Sequence, residues 1–223
     1  MKIGVIHANA SAVAPLEAAF QAAAPSAEVC NFINGEMLKI VDACGVTPEA
    51  LKLFVRTVFE ADEQGVDGIL IACSVFCGYA EAVQPFLNAP ILAVDAPALE
   101  EIVARGGKVG ILATTAASAP ACQAKLDKLC AKKGAVLQYE YGICTEALDA
   151  LRQGQGDVHD RLLAEEGRRL ADLGCTTLFL SQITMARARQ AFGPLQGITI
   201  TTPDAGVRKM LRLVREKQSY IMS

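Results

Sequence analysis

Two stretches decide the fold: Lys2-Ile-Gly-Val-Ile-His-Ala8 and Lys108-Val-Gly-Ile-Leu-Ala-Thr114, which match at an offset of 106 residues. Each is an apolar run of strand length. Working outward, Gly65-Val-Asp-Gly-Ile-Leu-Ile-Ala-Cys73 aligns with Gly174-Cys-Thr-Thr-Leu-Phe-Leu-Ser-Gln182 at an offset of 109. Ile91-Leu-Ala-Val94 aligns with Ile198-Thr-Ile-Thr201 at 107, and a helix is expected after both. Three blocks in one order at nearly one offset describe two copies of one unit. The expected division is an N-terminal α/β lobe over 1–106 and a C-terminal α/β lobe over 107–223, with the boundary at Gly106-Gly107 and the C-terminal helix allowed to cross over.

Apolar runs alternate with amphipathic stretches along the whole chain, the pattern of a parallel sheet covered by helices. The expected strands are Lys2–His7, Ala27–Phe32, Asp67–Cys73, Pro90–Val94, Lys108–Ala113, Ala135–Tyr139, Thr176–Ser181 and Gly197–Thr201. Thr47-Pro48-Glu49 opens a helix with a hydroxyl cap, a proline in the first turn and an acid near the positive end. Leu51, Phe54, Val55 and Val58 form its buried stripe, and Gly65 ends it. Cys122, Leu126, Leu129 and Cys130 mark a second such face, closed by Gly134. Asp157 is expected to cap a third helix running to Gly174.

Composition narrows the function. Of 223 residues, 21 are Lys or Arg and 24 are Asp or Glu, a net charge of −3 that leaves no basic footprint for nucleic acid. Apolar residues make up 52%, enough to bury a core and to exclude disorder. A membrane span needs about 20 consecutive apolar residues, and no stretch approaches that. The first apolar run is too short for a secretory signal, so a cytoplasmic location with reduced thiols is expected. None of the eight cysteines lies in a Cys-x-x-Cys pair and only two histidines exist, so no structural metal is expected. The phosphate-binding motifs GxGxxG and GxxxxGK[ST] are absent, as is the GxSxG nucleophile elbow. Chemistry without a cofactor is what remains.

Ligands in open parallel sheets sit beyond the carboxyl ends of the strands. Two repeated units related by a pseudo-twofold can point those ends at a shared cleft, which makes Cys73 and Gln182 equivalent positions across it. Cys73 ends a strand, and a helix is expected after Ser74 and Val75. The positive end of that helix would favour the thiolate. Cys77, four residues on, reads as packing. Thr114, Asn9 and Ser11 follow strands and suit a small carboxylate, although Thr115 and Ser118 read equally as helix caps. His7 is a candidate base that reads more readily as structural, and His159 is expected at the surface.

Val5-Ile-His-Ala-Asn9, Ile71-Ala-Cys-Ser74, Gly110-Ile-Leu-Ala-Thr114 and Leu178-Phe-Leu-Ser-Gln-Ile-Thr-Met185 together resemble the aspartate/glutamate/hydantoin racemase superfamily, over nearly the whole chain. The resemblance implies two pseudo-symmetric lobes, each a parallel sheet flanked by helices, with the active site in the cleft between them. It implies no cofactor, a small amino-acid-like or dicarboxylic substrate, and a homodimer. It makes Cys73 the catalytic acid/base and Asn9, Ser74, Val75, Thr114, Gln182 and Ile183 the substrate-binding positions, with His7, Ser181 and Thr184 as auxiliaries.

One departure matters more than the matches. Two-cysteine members carry Gly-Cys-Thr where this chain has Ser181-Gln182-Ile183, so it resembles a single-cysteine variant. Cys175 precedes its strand and belongs at the opposite end of the sheet. Racemisation by two bases needs a donor and an acceptor on opposite faces, and a glutamine amide is neither. Three readings follow: a racemase or isomerase acting next to a carboxylate, a one-cysteine decarboxylase or lyase on a similar substrate, and a non-catalytic small-molecule-binding protein.

Overall fold

The computed structural model describes residues 1–221. Its elements fall into two compact units, one of Met1–Pro97 with the chain from Pro203 onward, the other of Ala98–Thr202.

The first unit runs β1 (Lys2–His7), α1 (Val13–Ala23), β2 (Glu28–Ile33), α2 (Gly35–Cys44), α3 (Pro48–Glu63), β3 (Gly68–Ile71), α4 (Ala80–Val83) and β4 (Ile91–Ala93). Its four strands are parallel in the order β2-β1-β3-β4. The second unit takes most of α5 (Ala96–Arg105), then β5 (Gly107–Ala113), α6 (Ser118–Lys133), β6 (Leu137–Ile143), α7 (Thr145–Arg152), α8 (Gly156–Asp172), β7 (Thr177–Leu180) and β8 (Thr199–Thr201). Its strands are parallel in the order β6-β5-β7-β8, the same topology as the first. The last described element is α9 (Thr202–Ile221). All eight expected strands form, Lys2–His7 with both ends as expected and the others with ends shifted by at most four residues.

The inner strands are the most apolar because helices cover both faces of a parallel sheet. Every residue of β3 and of β7 is buried. Thr47 caps α3 by accepting from the Ala50 N–H, Pro48 occupies the first turn, and Gly65 turns away beyond it at φ +68°. Gly134 closes α6 in the left-handed conformation at φ +64°. Phe54 of α3 stacks on Phe76, with ring centroids 5.0 Å apart.

The units divide the chain at Pro97/Ala98 and Thr202/Pro203, whereas the repeat places its boundary at Gly106-Gly107. Packing accounts for the difference. Arg105 at the end of α5 donates to the Gly197 carbonyl of the second unit. The last helix lies on the first sheet, where a Cβ added at Gly68 would stand 2.5 Å from Met210 Sδ and 2.7 Å from Val214 Cγ2.

Two local expectations need correction. Gln155, not Asp157, occupies the cap position of α8, and Asp157 sits inside the first turn, where its charge suits the positive helix end. His159 is fully buried rather than superficial. It belongs to the inner stripe His159-Leu163-Gly167-Leu170 of α8, a helical spacing that a histidine joins here. The helix expected after Ser74 and Val75 forms as a run of helical turns of mixed type that extends to Phe86. A turn leads into a 3₁₀ segment at Cys77–Tyr79, and α4 has only four residues.

Candidate functional site

At the carboxyl edge of the first sheet, β1 and β3 run side by side with Ile6 opposite Ile71. The Ala72 N–H extends this pairing by donating to the Ile6 carbonyl at 2.9 Å. His7 and Cys73 therefore leave neighbouring strands one residue apart in register. Cys73 is half-buried, Ser74 exposed and Val75 half-buried. The Cys73 carbonyl accepts from the backbone N–H groups of Phe76 and Cys77, both at 3.0 Å, which folds the chain into a tight turn. Helical turns then follow without a break over Cys77–Phe86, 3₁₀, α and 3₁₀ in succession, so Cys73 stands just before the start of a short helical run of mixed type.

His7 is fully buried. Its Nε2 lies 2.9 Å from Asn31 Oδ1, and the Asn31 amide donates to Glu17 Oε1 at 2.8 Å. Burial holds the imidazole pKa below its ordinary value, and the Asn31 bond and the Glu17 charge oppose this in part. Asn9 acts as a cap: its Oδ1 accepts from the Ser11 N–H at 2.9 Å and the Ser11 hydroxyl at 2.5 Å, starting the short turn before α1.

The carboxyl edge of the second sheet is built around Thr114 and Gln182, which follow β5 and β7. Gln182 Oε1 accepts from the Thr114 N–H at 2.7 Å and from the Thr114 hydroxyl at 2.9 Å. Because a backbone N–H can only donate, the amide orientation is settled: oxygen toward Thr114, NH₂ away from it. Ser181 ties the same strands together, its N–H and hydroxyl both donating to the Leu112 carbonyl. Gln182, Ile183 and Thr184 are half-buried at the start of a long 3₁₀ stretch, Ile183–Ile198. Thr115 and Ser118 share a hydroxyl contact of 2.6 Å before α6.

The remaining thiols have structural surroundings. Cys77 Sγ donates to the Ile71 carbonyl, a packing role. Cys175 is buried just before β7, at the amino end of that strand, and burial pushes its pKa up. Burial likewise pushes the Cys144 thiol up to about 12, with Glu166 and Glu146 adding to it. None of the eight cysteines is disulfide-bonded. Among the described residues, no cluster of His, Cys, Asp and Glu is arranged to hold a metal ion, and no helix is long and apolar enough to cross a membrane.

Sequence reasoning missed Asn31 and Glu17. Asn31 is the one uncharged polar side chain inside the β2 run Glu-Val-Cys-Asn-Phe-Ile, which was the available signal. A cavity of about 400 Å³ opens beside β2, walled by Asn31, Asn34, Thr57 and Glu60 among others, with no expected site residue on it.

Architecture and edge chemistry together define an α/β protein of two like parallel-sheet units that set thiol, hydroxyl and amide groups at strand ends. The chain belongs to the Asp/Glu/Hydantoin racemase family, whose model matches residues 3–210. Racemases are isomerases, and this is the enzyme class the family defines. Similar solved structures include allantoin racemase from Klebsiella pneumoniae, at 18% identity and TM-score 0.65, covering 97% of this chain and 89% of that one. An aspartate racemase homologue from Pyrococcus horikoshii matches at 15% identity and TM-score 0.67, covering 96% and 99%. Glutamate racemase from Thermus thermophilus matches at 20% identity and TM-score 0.65, covering 97% and 81%. At these identities the likeness speaks for the fold. A comparison with curated protein sequences returns no match.

Proposed function

We propose that the chain is a cofactor-independent racemase or isomerase acting at the carbon next to the carboxylate of a small amino-acid-like or dicarboxylic acid, with Cys73 as the acid/base. The observation that carries this reading is the place of Cys73 within a racemase-family chain. It leaves the carboxyl end of β3 half-buried, whereas Cys144 and Cys175 are buried with raised pKa values. A thiol at that edge can exchange a proton with a carbon acid whose negative charge is held by hydrogen-bond donors. Gln182 supplies such donors. Its oxygen is engaged by Thr114, so its NH₂ is the part available to a carboxylate or enediolate oxygen. In this reading Thr114 orients Gln182, and contact with the acid passes to the amide, with Ser74, Val75, Ile183 and Asn9 as further contacts.

The Thr114–Gln182 pair also favours a second reading. A locked amide cannot move a proton, so Cys73 would act from one face only, as a decarboxylase or lyase requires. Incubating a panel of small acids with the enzyme, while following optical rotation and carbon dioxide, separates the two. Loss of optical activity without gas supports the isomerase and excludes the lyase. Stereospecific release of carbon dioxide supports the lyase and excludes the isomerase. Acids that raise the melting temperature but are never turned over would leave a binding protein, and both catalytic readings would fail.

A further inference from the structure

A thiol that takes part in proton transfer must first lose its own proton, and the short helical run that follows Cys73 is one expected source of activation. The neighbouring strand end offers another. His7 lies one residue from Cys73 in the β1–β3 register, and its ring is held by a chain of bonds whose direction follows from elementary chemistry. The ionised Glu17 carboxylate only accepts, so Asn31 must present its NH₂ to Glu17. Its amide oxygen is thereby turned to His7, and because that oxygen also only accepts, the proton of the neutral ring sits on Nε2. Nδ1 then carries the lone pair. This atom is buried and has no hydrogen-bond partner, a costly arrangement unless the lone pair is used.

We infer that Glu17, Asn31 and His7 form a relay that holds His7 Nδ1 as the proton acceptor of the Cys73 thiol. The proton passes from Cys73 Sγ to His7 Nδ1, leaving a thiolate and an imidazolium, and the reverse transfer restores both. The imidazolium donates through Nε2 to Asn31, which is held in turn by the negative Glu17. All three are positioning residues, because they act through Cys73 and touch no substrate. The inference rests on the reading of Cys73 given above, but its test requires no turnover, so the two can fail separately.

Two histidines in the whole chain make the test tractable. Ring-nitrogen NMR of protein carrying isotopically labelled histidine, with His159→Gln used for assignment, should show His7 protonated on Nε2 and bare on Nδ1. His159 is the internal contrast: its Nδ1 contacts Asp160 Oδ1 at 2.7 Å, so it should be protonated on Nδ1. A His7 ring protonated on Nδ1 alone, or averaging between tautomers, overturns the relay. The second measurement is the pH profile of iodoacetamide alkylation at Cys73, followed by mass spectrometry of its peptide. His7→Gln should lower the rate at neutral pH by about tenfold or more, as a thiol pKa raised by one unit would. Glu17 is exposed, so Glu17→Leu should fold normally and give a smaller loss, while Glu17→Gln, which can still accept from Asn31, retains most of the rate. Unchanged profiles in His7→Gln and Glu17→Leu overturn the inference.

Discussion

The side-chain oxygen of Gln182 accepts two hydrogen bonds from Thr114, one from the backbone N–H at 2.7 Å and one from the hydroxyl at 2.9 Å. This pair occupies the carboxyl edge of the second sheet. Its geometry turns a residue that cannot move protons into a fixed donor. Glutamine at this position uses the donors of Thr114 and replaces them with its own NH₂.

Gln182→Glu separates the two halves of that amide. The carboxylate can still accept from Thr114, but it offers no donor and adds a charge. The melting temperature should stay close to that of the parent, while affinity for small carboxylates falls by about tenfold or more, a hydrogen bond to a charged group contributing about 1.5–3 kcal/mol. Calorimetric titration checks this, and unchanged affinity removes Gln182 from the site. Gln182→Ala instead leaves the buried Thr114 donors unmet and should cost about 1–3 kcal/mol in urea unfolding.

Gly68→Ala should destabilise the first unit. The new methyl group would meet Met210 Sδ and Val214 Cγ2, both closer than 3 Å from its ideal position, and α9 would have to shift off β3. Overpacking of this kind costs about 1–3 kcal/mol. Urea unfolding measures it, and a neutral result would show that α9 does not clamp the strand.

Stability should depend on pH through His7. Burial lowers its folded pKa, so below the ordinary histidine value of about 6.5 the unfolded chain binds a proton that the folded chain refuses. Stability is therefore fully present above that value. It falls as the pH drops below it, until the lowered folded pKa is passed. Urea unfolding across this window should show the slope in the parent and a flatter curve in His7→Gln. Equal slopes would contradict the assigned shift.

Thiol reactivity should divide the cysteines. Cys144, pushed up to about 12, and Cys175, raised by burial, should stay unalkylated in the native protein near neutral pH while Cys73 reacts. Peptide mass spectrometry after brief labelling decides this. Labelling of Cys144 or Cys175 ahead of Cys73 would contradict it.

The strands are legible in the sequence because parallel sheets bury both faces and write themselves as apolar runs. Lys2–His7 is legible to the residue, and the like order of strands in the two units follows the three aligned blocks. The Thr47-Pro48 helix start is equally plain, since a cap is a local signal. Side chains that pair across the fold leave no such mark. Glu17, Asn31 and His7 meet over separations of 14 and 24 residues, and no periodicity encodes that. His159 misleads because a histidine on an apolar helical stripe is polar by type and buried by position. The helical run after Cys73 is legible too, since Phe76, Cys77, Ala80 and Val83 are buried at a spacing that suits a helix, although part of that run tightens to 3₁₀ turns. Aligning the repeats is enough to single out Cys73 and Gln182 as candidates at the ends of β3 and β7. The bond from Thr114 to Gln182 is not legible, because alignment ranks positions and is silent on which donors meet which acceptors.

The central claim is that Cys73 carries the proton to and from the carbon next to a carboxylate. Its most direct test is nuclear magnetic resonance of that carbon's hydrogen for a turned-over acid in deuterium oxide, comparing the parent with Cys73→Ala and Cys175→Ala. The account predicts enzyme-dependent exchange or deuterium incorporation in the parent and in Cys175→Ala, and none above background in Cys73→Ala. Near-parental exchange by Cys73→Ala would contradict it.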